Sequence, residues 1–228
     1  MREANTFEDP KVAEEWINAI ESEQGHSRDN EIYPMLHEWS RNLSPEVILE
    51  IGAGQGICSA KLDLTNSQYI GLEPSLPLLN RAKELYAESN KKFIEGTSYE
   101  IPLPDNSVTA VFSVGVWFHI KDLDRAHTEI ARIMESGGEL LIINANPDMY
   151  HIWEKFFAAP RQGNMLEGSV QIPGGTLSHN IFYLHTKDEI ISSLEKNNFT
   201  ITSIKKFGFG KEKHADEGIW VAIRAVLK

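Results

Sequence analysis

The sequence predicts an α/β fold built on a mostly parallel sheet, and two neighbouring features carry that prediction. Residues 47–51 are an apolar run interrupted by one acid, which is typical of a strand buried in a parallel sheet. They lead into Gly52, Gly54 and Gly56, which allow a sharp backbone turn and leave space for a ligand. A strand, a glycine turn and a helix N-terminus form the crevice in which open α/β sheets bind small polar ligands. We expect residues 57–64 to be that helix.

Length, composition and charge bound the class of protein. The 228 residues are 41% apolar and 24% charged, which suits one α/β domain with a substantial core. The formal net charge of −11 disfavours a nonspecific grip on nucleic acid. Cys58 is the only cysteine, so no internal disulfide or cysteine-based metal cluster is expected. Without a signal peptide or an apolar run of membrane-spanning length, we expect a cytoplasmic monomer or homodimer with no metal, membrane or nucleic-acid partner.

The spacing of the glycines selects the class of ligand. A dinucleotide fingerprint needs its third glycine at position 57, but that residue is Ile57 and the third glycine comes one position early, at Gly56. Glu50, two residues before the first glycine, would repel a pyrophosphate at this turn and would favour a cation. S-adenosylmethionine (SAM) fits, because it has a sulfonium and an ammonium group but no phosphate. An NAD-dependent oxidoreductase is the disfavoured alternative.

Residues 50–56 resemble motif I of the class I SAM-dependent methyltransferases, E/D-x-G-x-G-x-G. Residues 104–107 (PDNS) and 129–133 (EIARI) also match that family's sequence pattern. The resemblance is to small-molecule enzymes of the ubiquinone/menaquinone-biosynthesis-like group; it is strong over residues 45–145 and weaker over 180–228. It implies a Rossmann-like, seven-stranded, mostly parallel sheet of order 3-2-1-4-5-7-6, with helices on both faces and an N-terminal helical cap.

The chain reads as a single methyltransferase domain, 1–228, with four parts: a helical cap (1–44), a SAM-binding core (45–145), a lid or insertion (146–180), and a C-terminal helix with closing strands (181–228). The Pro- and Gly-rich stretch 163–175 predicts an extended loop or lid.

Local patterns define the elements around the glycine turn. Apolar residues at helical spacing predict a helix beginning at Pro10 and a second one over residues 32–39. A further helix is expected over residues 74–88, with a buried stripe that includes Leu76 and Leu85.

The cofactor contacts follow in part from position and in part from the resemblance. Glu73 ends the second predicted strand about twenty residues after the glycines, where a carboxylate can accept both ribose hydroxyls of an adenosine. By the resemblance, the backbone N–H of Ser98 pairs with an adenine ring nitrogen. Thr97 and Thr109 replace acids that the family usually has, so we expect weaker SAM binding. The cofactor-binding candidates are Glu50, Gly52, Ala53, Gly54, Gly56, Glu73, Pro74, Thr97, Ser98, Ser113, Val114 and Arg28.

No catalytic residue is assigned. His119 is a weak candidate for a general base, since imidazole titrates near physiological pH, although a structural role is the better explanation of it. The candidates for the acceptor pocket are Tyr33, Trp117, His151 and Trp153.

The resemblance implies methyl transfer from SAM to an oxygen, nitrogen or carbon nucleophile of a small molecule by in-line displacement, with S-adenosylhomocysteine as product. This chemistry needs mainly positioning from the protein. A SAM-binding protein without transferase activity is the second alternative.

Overall fold

The computed structural model describes residues 5–22, 28–43, 45–155, 161–171, 177–208 and 218–228. The strands are β1 (Val47–Ile51), β2 (Gln68–Glu73), β3 (Lys91–Glu95), β4 (Val108–Val114), β5 (Met134–Ala145), β6 (Met165–Gln171), β7 (Leu177–Tyr183), β8 (Phe199–Phe207) and β9 (Trp220–Leu227). The helices are α1 (Pro10–Ser22), α2 (Tyr33–Leu43), α3 (Leu76–Tyr86), α4 (Leu123–Ile133), α5 (Tyr150–Glu154) and α6 (Lys187–Lys196).

Seven strands form one sheet in the order β3-β2-β1-β4-β5-β9-β8. The pairs among β1 to β5 are parallel, whereas β9 runs antiparallel to both β5 and β8. β6 and β7 form a separate antiparallel hairpin. Because this hairpin lies outside the sheet, β8 and β9 are the sixth and seventh strands of the sheet, and the predicted order 3-2-1-4-5-7-6 is confirmed.

The sheet is buried on both faces, as the apolar runs of its central strands predict. Leu49 of β1 faces the core that contains Ile130 of α4, and the next strand position, Ile48, faces the core that contains Trp39 of α2. Successive side chains of a strand point to opposite faces, so each central strand contributes to both cores. The parallel strands therefore end together at one edge, which is where a ligand crevice forms in such sheets.

Capping residues define the starts of two helices. The Asp122 side chain accepts the N–H of Arg125 at the start of α4. Thr186 and Glu189 form a reciprocal capping box at the start of α6. The N-terminal helices α1 and α2 also form, with a π-helical turn, Arg28–Ile32, leading into α2.

Three expectations for local structure are wrong. Residues 57–64 hold only a short 3-10 turn, Ile57–Ala60, and Asp63 then accepts the N–H and hydroxyl of Thr65, which closes a competing turn. Leu76 and Leu85 are 51% and 43% exposed, because the buried face of α3 centres on Leu78 and on Leu79 and Ala82, the two residues of the predicted stripe that are buried. Within the predicted extended loop, Met165–Gln171 form strand β6, and residues 172–175 lie outside the described part of the structure.

No helix in the described ranges combines the length and apolar character needed to cross a membrane.

Candidate functional site

The three glycines of the turn after β1 have different tasks. Their φ angles are +70°, +56° and +85° for Gly52, Gly54 and Gly56, a region that side chains disfavour. A Cβ on Gly52 would lie 2.6 Å from Val116, and one on Gly56 would lie 3.0 Å from Phe93. A Cβ on Gly54 would meet nothing within 4 Å. Gly52 and Gly56 therefore permit close packing, while Gly54 faces open space that a ligand can occupy.

Glu73, at the end of β2, is held against this turn. One carboxylate oxygen accepts the Gly54 N–H at 2.8 Å, and the other accepts the Ser75 N–H at 2.8 Å. Each oxygen retains a second lone pair for a further donor. Burial raises the pKa of Glu73 to about 7 against the effect of these two bonds. The structure thus brings together the glycine turn and the acid predicted for the ribose hydroxyls of an adenosine, and both fit that group.

Glu50 lies beneath the turn and not at its mouth. Its side chain is 2% exposed and accepts a hydrogen bond from the Tyr69 hydroxyl. Burial raises its pKa to about 8, so the group is largely neutral at pH 7. The expectation that an exposed Glu50 charge repels phosphate is therefore wrong. Its part in cofactor binding stays a prediction.

The two threonines that replace acids lie at opposite ends of strands. Thr97 follows β3, and its hydroxyl accepts the N–H of Tyr99 at 3.3 Å. Thr109 is near the start of β4, where its hydroxyl accepts the Val47 N–H and donates to the Val47 carbonyl. Because the start of β4 lies at the sheet edge away from the glycine turn, Thr109 holds β4 against β1 and has no direct contact with the crevice. Only Thr97 remains a candidate for weakening cofactor binding.

Buried polar atoms without partners occur at the carboxyl ends of β4 and β5. Among the described residues, the Ser113 hydroxyl and both polar atoms of the Asn144 side chain have no hydrogen-bond partner. Ser113 is a predicted cofactor residue, and Val114 beside it is half-buried. Asn144, in β5, was not among the predicted site residues.

The predicted acceptor residues do not come together. Tyr33 and Arg28 line a cavity of about 380 Å³ beside the turn Ile57–Ala60. His151 lines a different cavity, of about 290 Å³, after β5. The Trp153 side chain lies outside the described part of the structure. The Arg28 guanidinium lies 5.7 Å from the Trp16 ring centre. Its contact with a cofactor carboxylate stays a prediction.

Trp117 is wrong as a predicted acceptor residue. Its ring is 1% exposed, and its indole N–H donates to His127 at 3.0 Å within the core on the α4 side of the sheet. A buried indole needs an acceptor for its N–H, and His127 supplies it.

His119 packs in an aromatic cluster. Its ring lies 5.0 Å from the Phe182 ring and 4.6 Å from that of Phe118. Burial lowers the pKa of His119 to about 4, so it is neutral near pH 7 and a weak base. This disfavours the general-base hypothesis and agrees with the structural role.

The segment 5–9, which we call the N-terminal strap, crosses the carboxyl edge of the sheet. The Ser75 hydroxyl donates to the Phe7 carbonyl, and the Thr6 hydroxyl donates to the His179 carbonyl of β7 at 2.6 Å. The Phe7 ring lies 6.3 Å from the His119 ring. The strap therefore links the end of β2 with the hairpin, and no sequence pattern indicated it.

Comparison with known proteins agrees with this geometry. The sequence profile described as "Methyltransferase domain" matches residues 49–142. The chain is 31% identical over 115 residues to the sterol 24-C-methyltransferase of Pneumocystis carinii, covering 48% of this chain and 30% of that protein. It is 31% identical over 120 residues to the fatty-acid O-methyltransferase of Mycolicibacterium smegmatis, covering 50% and 43%. The aligned part of the chain thus spans less than half the length of these relatives.

The fold is also that of a SAM-dependent methyltransferase from Mesorhizobium loti, with a TM-score of 0.61 and 14% identity, covering 85% of this chain and 96% of that one. SAM is the cofactor that the methyltransferase match implies, and the roles of the glycine turn and Glu73 in holding it stay predictions. The match covers the strand, glycine turn and acid described above. Residues 49–142 therefore match a methyltransferase domain, and the chain has the fold of SAM-dependent methyltransferases.

Proposed function

We propose that the protein transfers a methyl group from SAM to a nucleophilic atom of a small molecule by in-line displacement. When bound, SAM supplies an activated methyl group on its sulfonium. The protein's own residues then need to bind, orient and exclude water. The proposal rests chiefly on the hydrogen bond from Gly54 N–H to Glu73, which fixes a carboxylate at the open side of the glycine turn.

Small-molecule acceptors are favoured by the two named relatives, whose names specify a sterol and a fatty acid. The aromatic rings of Phe7, Phe118 and Phe182 around His119 would suit an acceptor with an apolar part. We keep the membership in the ubiquinone/menaquinone-like group as a prediction, together with the single-domain division, the lid role of 146–180 and the monomeric or homodimeric state.

The cofactor assignment is tested by isothermal titration with SAM, S-adenosylhomocysteine and NADH in parallel. We expect the first two to bind and NADH not to bind. Glu73→Gln places an amide N–H₂ against a backbone N–H, so one charged hydrogen bond is lost. Such a loss costs about 1.5–3 kcal/mol. We therefore expect SAM to bind at least roughly tenfold more weakly.

The matched control is Glu95→Gln. Glu95 ends β3 and is the register partner of Glu73 on the adjacent strand. SAM affinity should be unchanged in this variant. Equal losses of SAM affinity in both variants would contradict the ribose role of Glu73. Binding of NADH alone would identify NADH, and not SAM, as the cofactor. Tight SAM binding without turnover of any sterol, fatty acid, amine or phenol would support the SAM-binding protein without transferase activity.

A further inference from the structure

A cavity of about 290 Å³ lies where the chain leaves β5 and where α6 begins; we call it the α6 cavity. Pro147, Tyr150 and Glu154 line it from the first of these segments, and Leu184 and Lys187 line it from the second. None of the cofactor contacts described above belongs to this cavity. It is therefore a separate recess on the side of the sheet where β5 ends.

The Tyr150 hydroxyl is the most informative group in its wall. The side chain is 6% exposed, and among the described residues its hydroxyl has no hydrogen-bond partner. A buried hydroxyl without a partner costs free energy, so a ligand that accepts a hydrogen bond from it would bind with a gain that the free protein lacks. The ring packs with Phe118, which in turn contacts His119 and Phe182.

Two cationic side chains line the same cavity. Lys187 is the first residue of α6, where the N-terminal end of the helix also favours negative charge. Arg161 forms an ion pair of 3.2 Å with Glu154 and donates a hydrogen bond to the Gly163 carbonyl. Asp148 also lines the cavity, but its carboxylate pairs with Lys206 at 2.7 Å. Tyr150 and Lys187 thus both line one recess, beside partly neutralised acids.

We propose that the α6 cavity is a recognition site for a carboxylate group carried by the methyl acceptor, with Tyr150 and Lys187 as its two principal donors. This inference rests on the proposed methyltransferase function and narrows its acceptor to small carboxylic acids. The aromatic cluster beside Tyr150 would accommodate the apolar part of such an acid. The carboxylate held here is a recognition group, because the cofactor contacts lie elsewhere.

A carboxylate is favoured over a phosphate by the charges on the walls. Asp148 and Glu154 both line the cavity, so a dianion would face two acids against the two cations. A single negative charge can accept from the Tyr150 hydroxyl and from Lys187 with only half of that repulsion. A neutral head group would form no ion pair with Lys187.

The test is direct binding of octanoate to the full chain, with octanamide as the neutral match and octylphosphonate, at a pH above its second pKa, as the dianionic match. Octanoate should bind, and both matches should bind at least about fivefold more weakly. Tyr150→Phe and Lys187→Gln should each weaken octanoate binding on the order of tenfold, the effect of about 1.4 kcal/mol of lost interaction. Lys196→Gln, at the other end of the same helix, should leave it unchanged.

Thermal unfolding separates recognition from structure. Because the Tyr150 hydroxyl has no partner in the described structure, Tyr150→Phe should unfold at the same or a higher temperature than the wild type. The proposal is overturned if wild type does not bind octanoate, if octanamide or octylphosphonate binds as well, or if both variants bind octanoate as the wild type does. SAM titration of the same samples reports on the cofactor site independently, so failure here leaves the proposed function standing.

Discussion

The glycine turn and Glu73 together form what we call the cofactor edge. The cofactor edge and the α6 cavity lie at the same end of the sheet but are built in different ways. The Gly54–Glu73 bond joins residues only 19 positions apart within one strand-turn-strand unit. The α6 cavity collects side chains from three segments spread between Pro147 and Lys187. The first site depends on backbone conformation, which local sequence determines, whereas the second depends on how distant segments pack.

The largest effect should come from breaking the cofactor edge at Gly54. Gly54→Val puts a β-branched residue at a φ of +56°, and its side chain enters the space assigned to the cofactor. Such strain costs about 1–3 kcal/mol, and the steric block adds to it. We expect SAM affinity to fall by at least about a hundredfold, equivalent to about 2.8 kcal/mol, in isothermal titration.

Gly137→Val is the matched control. Gly137 also has a positive φ, +85°, and open space around its Cβ position, but it lies near the start of β5, at the edge away from the glycine turn. Its urea unfolding should show a similar loss of stability while SAM affinity stays at the wild-type value. If Gly137→Val also abolishes binding, the effect at Gly54 reflects strain alone and the cofactor edge is wrongly placed.

The second effect concerns the pH dependence of stability. The folded pKa of Glu50, about 8, lies above its unfolded value of 4.5. Between these values only the unfolded chain loses the proton, so the free energy of unfolding falls as the pH rises, with about 1.4 kcal/mol for each pKa unit. The stabilisation is fully present below pH 4.5 and lost by about pH 8.

Glu50→Gln keeps an acceptor for the Tyr69 hydroxyl and removes the proton equilibrium. Urea unfolding should give a flatter pH profile and a more stable protein than the wild type at pH 8. The exposed Glu46, just before β1, provides the control, and Glu46→Gln should retain the wild-type slope. A profile for Glu50→Gln as steep as that of the wild type would assign the dependence to other groups, among them Glu73.

The smallest effect is expected at His119. A general base contributes about 10²–10⁴-fold to a rate, whereas a packing ring can be replaced by another ring. His119→Phe keeps the aromatic contact with Phe182, so turnover should stay within about threefold of the wild type, well below that range. The measurement is kcat across pH 6–9 with an acceptor that shows turnover. A hundredfold loss of kcat would identify His119 as the general base. It would also show that a residue outside the cofactor edge takes part in the reaction.

The same contrast explains what the sequence could predict. Glycines with positive φ, a strand-end acid and capping residues such as Thr186 act over a few residues, so the glycine turn and Glu73 follow from local patterns, whereas the sheet order came from the family resemblance. Trp117 and Tyr150 show the opposite case. Whether an aromatic ring faces a crevice or His127 depends on the packing of α4 and α6, which periodicity does not specify. The sequence shows an acid before the glycine turn, but the spacing does not predict that Glu50 is buried beside Tyr69.

The N-terminal strap has a consequence for how two ligands would influence each other. Its hydrogen bonds reach Ser75, beside the cofactor edge, and His179 on the hairpin. A ligand that displaces the strap on one side must supply the free energy of opening it. A second ligand that needs the open strap then binds without that cost. If cofactor and acceptor each had to lift the strap, each would raise the affinity of the other by the same factor. The limit of that factor is the stability of the closed strap.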